Sequence, residues 1–214
     1  MFREGRDSAE IAGTVVTFDA DRPAVEAARR DPLAFEPLYR KYVAQIYSFA
    51  LYETRDHHAA EDLTEQVFLR ALQALPRFDD RGEGASSTFR AWLFRIARNA
   101  LANERRRERR HPEAPLELAA IVRAPDDTAA SVVAQDEVRR AWDAIDRLPD
   151  ERRRALVLRF VEEMSAREIG EVLGRSEGAV RVLIHRALRT VADDLAAGPA
   201  HGHTHAKGRR WWRR

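Results

Sequence analysis

The sequence predicts an all-α protein made of two small helical domains joined by a linker. Three observations carry that expectation. Apolar residues recur at spacings of three and four in two blocks, 28–110 and 136–196. Between them, residues 111–135 hold Pro112, Pro115 and Pro125 among scattered acids and small residues, the composition of a linker. Nowhere does the sequence alternate with the period of a strand, repeat itself, or present a Gly-rich phosphate loop.

Residues 1–27 lack a sustained period and read as a loose arm that ends at most in a short helix. From Pro32 the chain turns helical: Phe35, Leu38, Tyr39, Tyr42, Ile46, Phe49 and Ala50 form one stripe. A second helix starts near Ala59, buries Leu63, Val67, Ala71, Leu72 and Leu75, and stops at Pro76, whose ring cannot continue it. A loop rich in Gly, Asp and Ser runs from Arg77 to Ser87. The third helix places Phe89, Trp92, Leu93, Ile96, Ala97, Ala100 and Leu101 on one face and ends in the run RRRERR. Phe89 and Trp92 invite base stacking, but their place in that stripe favours core packing.

Helicity resumes with Val138, Ala141, Trp142, Ile145 and Leu148, breaks at Pro149, and continues through Val157, Phe160, Val161 and Met164. The stretch from Ser165 to Leu195 is the most informative of the chain. Ser165 and Glu168 stand at capping-box spacing, Ile169, Val172 and Leu173 share a face, and Gly174 supplies the left-handed turn. Ser176 then stands where the next helix needs its N-cap. Two helices joined so tightly meet at a steep angle, as in a helix-turn-helix. At about 100° per residue, Val180, Ile184, Ala187 and Val191 face inward with Leu195 close by. The opposite face carries Gly178, Val182, His185, Arg186 and Arg189, with Arg181 at its edge. Arginines there suit phosphates and the guanine edge, and an exposed Val182 suits a thymine methyl. An amphipathic helix with a solvated basic face has the same periodicity; the turn chemistry favours DNA.

Composition narrows the class further. The chain has 214 residues, no cysteine and a formal net charge of +2, so disulfides and thiolate metal sites are excluded. No apolar run is long enough to span a bilayer, and the N-terminus MFREGRDSAE carries acids where a signal peptide is apolar, so a cytoplasmic protein is expected. Charge is segregated along the chain: residues 105–110 hold five arginines and one glutamate, whereas 111–135 hold four acids against Arg123. Residues 197–214 hold five Lys or Arg, three His and no acid. Such segregation is expected where different segments meet different surfaces. No nucleophile, base and orienting group cluster on any segment, so neither an enzyme nor a small-molecule substrate, cofactor or metal is expected.

With both blocks placed, the chain resembles an extracytoplasmic-function (ECF) sigma factor, a compact member of the bacterial sigma-70 family. The resemblance rests on AAEDLTEQVFLRAL (59–72), FRAWLFRIARNALANERRR (89–107), LPDERRRALVLRFVEEMSAREIGEVLG (148–174) and SEGAVRVLIHRAL (176–188), in that order around the acidic linker. It implies a sigma region 2 domain over 28–110 and a sigma region 4 domain over 136–196. It also implies core RNA polymerase and promoter DNA as partners, and an anti-sigma factor that masks both faces. In such proteins the segment matching Asp62 to Phe68 docks on the clamp helices of the polymerase. Asp62, Glu65, Gln66 and Arg70 beside Leu63 and Phe68 are the residues this implies here.

The resemblance makes the third helix the element that opens the promoter. Asn103 matches a position that reads flipped minus-ten bases, and Arg95, Arg98, Asn99, Arg105, Arg106 and Arg107 are suited to steer the phosphate backbone. Arg175, Ser176, Glu177, Gly178, Arg181, Val182, His185, Arg186 and Arg189 are the expected minus-thirty-five set. The family's common serine and arginine after Arg181 are replaced by Val182 and Leu183, and Leu188 stands where arginine is common, so fewer phosphate contacts and more apolar readout are expected. Linker acids Glu113, Glu117, Asp126 and Asp127 suit a basic RNA channel, although a tether has the same composition. His201, His203 and His205 have no carboxylate or cysteine to complete a metal site. The run Arg209 to Arg214, with Trp211 and Trp212 inside it, suits DNA, an anionic membrane or a solubilising tail. The rival reading is a stand-alone helix-turn-helix regulator, which would bind duplex DNA without polymerase.

Overall fold

The computed structural model describes residues 20–82, 87–110 and 129–197, except for the side chains of 108–110 and 129–137. The tail, the linker acids and most of the N-terminal arm therefore lie outside the described residues. Within them the chain is helical and has no strand: α1 (Arg22–Arg30), α2 (Glu36–Thr54), α3 (His57–Ala74), α4 (Phe89–Arg110), α5 (Ala129–Asp146), α6 (Asp150–Phe160), α7 (Ala166–Leu173) and α8 (Glu177–Ala196). Short 3-10 turns at Pro32–Phe35 and Leu75–Arg77 lead into α2 and out of α3. No helix among the described residues is long and apolar enough to cross a membrane.

Two expected boundaries move. The short helix allowed at the end of the arm is α1, which starts at Arg22 and runs on to Arg30, because Val25 and Ala28 bury one turn apart and Asp21 anchors the start. Asp21 accepts from Lys41 Nζ at 2.6 Å and from the Tyr42 hydroxyl, both on α2. The linker expected to end at 135 ends earlier. Residues 129–135 contain three alanines and no Gly or Pro, so nothing interrupts helix upstream of Trp142, and α5 begins at Ala129.

The first half is built on an aromatic core. Phe35 meets Phe68 and Phe89 edge-on at 6.3 Å each, Phe78 meets Phe89 at 6.0 Å, and Phe49 meets Phe94 at 5.6 Å. Edge-to-face pairs at these separations are the favoured arrangement for aromatic rings. Phe89 is fully buried and Trp92 packs partly buried at 4.7 Å from Phe78, in line with their expected core role. Phe94, absent from the expected stripe, is also fully buried. The reason is that α4 is covered on two sides, by α2 and α3 on one and by α7 on the other. A helix so placed buries a wider arc than one amphipathic face predicts.

The second half packs α5, α6 and α7 against one side of α8. The middle of α6 buries four successive residues, Ala155 to Leu158, because α7 and α8 flank it. Phe160 and Val161, expected inside, are exposed: α6 ends there and the chain turns through Glu163 at φ +52°. Leu158, Met164, Ile169, Val172, Leu173 and Val180 join the same apolar cluster as the first half.

Candidate nucleic-acid interface

The helix-turn-helix forms as its sequence requires. Ser165 accepts from Glu168 N–H at 3.2 Å while the Ser165 N–H donates to Glu168 Oε2 at 2.8 Å, which completes the capping box. Gly174 adopts φ +69°, and both its N–H and that of Arg175 turn back to the Gly170 carbonyl. Ser176 caps α8 by accepting from Ala179 N–H at 3.3 Å. Gly170 has a role that spacing along the sequence did not reveal. A Cβ there would stand 2.7 Å from the Arg175 carbonyl oxygen, so glycine is what lets the turn close onto α7.

The outer face of α8 presents the expected residues. Gly178, Arg181, Val182, His185, Arg186 and Arg189 are exposed, while Val180 and Ala187 hold the helix down from beneath. Two of the arginines are engaged with acids. Arg175 Nε donates to Glu151 Oε1 at 2.9 Å, and that carboxylate holds the guanidinium above its already high pKa. Arg181 pairs with Glu177 one turn earlier.

The expected minus-ten set divides between two faces of α4. Arg95, Asn99 and Asn103 are exposed and follow one another at about one helical turn, and Arg106 and Arg107, also exposed, stand one turn further on. Arg98 turns the other way, toward the second half, and Arg105 turns to the seam between Glu53 of α2 and Asp150 of α6. Arg98 donates to the Val172 carbonyl at 2.8 Å, and burial, then the nearby charges of Arg154 and Arg95, lower its pKa. Arg105 donates to Glu53 Oε2 at 2.9 Å and reaches Asp150 at 3.4 Å. Periodicity alone could not separate these two arginines from the exposed five, since the second covered face of α4 exists only in the assembled fold. The loop before α4 is held by Asp80, which accepts from Ser87 Oγ at 2.7 Å, Thr88 N–H at 2.9 Å and Gly82 N–H at 3.1 Å. Burial opposes its charge, yet these bonds win and its carboxyl lies below the ordinary range.

On α3, Asp62, Glu65 and Arg70 are exposed, and Arg70 donates to the half-buried Gln66 at 3.3 Å. Leu63 and Phe68 are only 4% and 6% exposed: Leu63 packs into the core, and Phe68, also in the core, lines the groove beside the ridge. The apolar surface beside the ridge comes from residues that the helical period assigned inward or passed over. Tyr39 is 45% and Leu69 is 51% exposed, and with Val43 and Leu72 they line an open groove between α2 and α3. Charged rim beside apolar floor is the composition of a helix-docking surface. Among the described residues no group of three or more His, Asp or Glu could hold a metal ion.

Comparison with known proteins assigns the fold. The family model for Sigma-70 region 2 matches residues 38–111, and that for Sigma-70, region 4 matches residues 139–191. The ECF RNA polymerase sigma factor BldN of Streptomyces coelicolor is 33% identical over 163 residues, 74% of this chain and 59% of BldN. The ECF RNA polymerase sigma factor SigE of Mycolicibacterium smegmatis is 33% identical over 193 residues, 88% of this chain and 70% of SigE. Among solved structures, CnrH in complex with the cytosolic domain of CnrY superposes with a TM-score of 0.61 at 27% identity, covering 85% of this chain and 100% of CnrH. The sigma factor RpoE in complex with the anti-sigma factor NepR from Bartonella quintana shares the fold, with a TM-score of 0.58 at 21% identity over 77% of this chain and 98% of RpoE. The chain belongs to the sigma-70 family, and within it to the ECF RNA polymerase sigma factors. It spans 59% of the length of BldN and 64% of that of SigD, a further ECF relative from Mycobacterium bovis.

Proposed function

We propose that this chain is an alternative sigma factor that binds core RNA polymerase, recognises both promoter elements and starts promoter melting. The observation that carries the proposal is the joint presence of a region 2 and a region 4 match, each with its expected polar stripe at the surface. The ridge Asp62, Glu65, Gln66 and Arg70, with the groove beside it, docks on the polymerase. The stripe Arg95, Asn99, Asn103, Arg106 and Arg107 meets the minus-ten element, where Asn103 can both donate to and accept from a flipped base. The outer face of α8 enters the minus-thirty-five major groove, with Arg186 and Arg189 on phosphates or guanine and Val182 on a thymine methyl.

Catalysis in this reading is the polymerase's, and the protein acts in the cytoplasm. A regulator that covers the same faces completes the proposal. The domain limits 28–110 and 136–196, with region 2 extended back to Arg22 and region 4 to Ala129, are proposed with it.

Run-off transcription tests the reading: purified protein, bacterial core polymerase and genomic promoter fragments, with and without the Asp62→Ala/Gln66→Ala double change. Transcripts from discrete sites that weaken with the double change are expected. If nothing is transcribed while the protein alone shifts duplex DNA, a stand-alone regulator replaces this reading.

A further inference from the structure

The groove between α2 and α3 is apolar along its floor and acidic at its rim. Tyr39, Val43, Tyr47, Phe68, Leu69 and Leu72 line an open volume of about 740 Å³, and the charged residues of the lining are Glu61 and Glu65, with no Lys or Arg. Both carboxylates stand on the exposed face of α3, and Asp62 adds a third beside them. From Glu61 to Leu72 the groove follows α3 for about three turns, roughly 16 Å at 1.5 Å per residue. Such a surface attracts a cationic segment that carries large apolar side chains, and it repels the phosphates of nucleic acid.

A segment of that chemistry exists in this chain, outside the described residues. Residues 198–214 contain Lys207, Arg209, Arg210, Arg213 and Arg214 around Trp211 and Trp212, and no acid. A buried aromatic side chain removes about 150–250 Å² of surface from water, and arginines beside it can pair with carboxylates at the rim of the site it fills. Consecutive side chains point to opposite sides of a strand and lie about 100° apart on a helix, so in either form at least one indole can face the floor.

The fold brings the start of that segment to the groove. Asp194, in the last turn of α8, binds Arg147 at 2.9 Å, and the neighbouring Asp146 binds Arg55 at 2.5 Å. Arg55 lies at the junction of α2 and α3, two residues before His57, whose Nδ1 meets the Tyr47 hydroxyl at 2.7 Å at the near end of the groove. Two ion pairs therefore lead from the exit of α8 to the mouth of the groove. The 14 residues from Ala197 to Trp211 reach about 45 Å when extended, nearly three times the length of the groove.

We propose that the segment Arg209 to Arg214 docks in the α2–α3 groove of its own chain, with a tryptophan on the apolar floor and arginines on Glu61 and Glu65, and competes with the partner that binds there. That partner is core RNA polymerase on the sigma-factor reading, on which this consequence rests. The tether makes a weak contact sufficient. A short flexible linker supplies an effective concentration of about 1 mM. Against a dissociation constant of about 0.1 mM for the free segment, the groove is occupied about ten to one, and the apparent affinity for polymerase falls about tenfold.

The test uses the full chain. It has no native cysteine, so Gly208→Cys takes a nitroxide spin label beside the motif, and the methyl resonances of Val43, Leu69 and Leu72 report on the groove. Broadening of these methyls is expected, while Val182 on the outer face of α8 is spared. Trp211→Ala/Trp212→Ala should abolish the broadening. So should Leu69→Glu, read at Val43 and Leu72, with circular dichroism to check that it retains its helix content. Core polymerase is expected to bind the Trp211→Ala/Trp212→Ala chain about tenfold more tightly than the parent.

Groove methyls that stay sharp in the spin-labelled chain overturn the proposal, as does broadening that survives the loss of both tryptophans. Broadening that passes only from a spin-labelled copy to an isotopically labelled one also overturns it, because the occupant is then the segment of a second copy. Polymerase affinity that does not change when the broadening is abolished overturns the competition. If neither chain binds polymerase while the broadening behaves as expected, the docking stands and the sigma-factor reading fails, so the two failures are distinguishable.

Discussion

Three glycines in the helix-turn-helix respond to the same substitution with different signs, because each has different space and backbone geometry around it. At Gly170 an alanine Cβ would lie 2.7 Å from the Arg175 carbonyl oxygen, about 0.7 Å inside the 3.4 Å at which ordinary contact begins. The carbonyl cannot swing away freely. The Arg175 N–H is bonded to the Gly170 oxygen at 2.9 Å, and the next residue, Ser176, is the N-cap of α8. Overpacking of this kind costs about 1–3 kcal/mol, against a gain of about 0.5–1 kcal/mol from replacing a helical glycine with alanine. The net expectation for Gly170→Ala is a loss of about 1–2 kcal/mol. Gly178 has nothing within 4 Å of the added carbon and sits in the first turn of α8, so Gly178→Ala gains about 0.5 kcal/mol. Gly174 also has open space, but its φ of +69° makes alanine cost about 1 kcal/mol. Urea unfolding followed by circular dichroism reads all three. With slopes of about 2 kcal/mol per molar urea, Gly170→Ala lowers the midpoint by roughly 0.5–1 M. A Gly170→Ala midpoint equal to or above that of Gly178→Ala would refute the claim that this turn closes against α7.

Glu162 gives a pH dependence. It is 5% exposed, its Oε1 has no hydrogen-bond partner, and burial pushes its pKa up to about 7 against the opposing charge of Arg90. A carboxyl raised from 4.5 contributes stability that is fully present below about pH 4.5 and lost as pH rises through about 7. The shift corresponds to about 3 kcal/mol, so Glu162→Gln should flatten the fall in stability between about pH 5 and 8; an unchanged slope removes Glu162 as its cause. Asp80→Ala strips the loop before α4 of its acceptor for Gly82, Ser87 and Thr88. A loss of about 1 kcal/mol is expected near neutral pH, comparable to a lost cap. The difference from the parent should shrink as pH falls through the depressed carboxyl range, and a difference that stays constant in acid contradicts the assignment. Arg186→Ala and Arg189→Ala should each reduce by about one the slope of log affinity against log salt for minus-thirty-five duplex, if each meets a phosphate. An arginine reading guanine instead leaves the slope and relaxes sequence preference at one base pair.

Much of this protein is written locally. The capping box at Ser165, the stop at Pro76 and the Gly174 turn depend on residues within four positions of one another, and each stands where local spacing places it. The stripe on α8 was equally legible, because a helix covered on one side repeats its burial every three or four residues. Along the α3 ridge proposed to meet the polymerase, the exposure of the polar residues was legible and that of the apolar ones was not. That Tyr39 and Leu69 reach the surface while Leu63 does not depends on how α2 is rotated against α3, which no single-helix period records.

The sequence by itself determined the helices, their caps, the two family segments and the residues that could meet nucleic acid, since spacing and turn chemistry act over a few residues. Only the tertiary structure decided which arginines of α4 face outward, why Phe94 is buried, why position 170 is glycine, and that Glu53 joins Arg105 and Arg154 across 101 positions of chain. Those outcomes come from long-range packing of one helix against elements distant in sequence, where burial and charge pairing are set by neighbours that local periodicity does not encode.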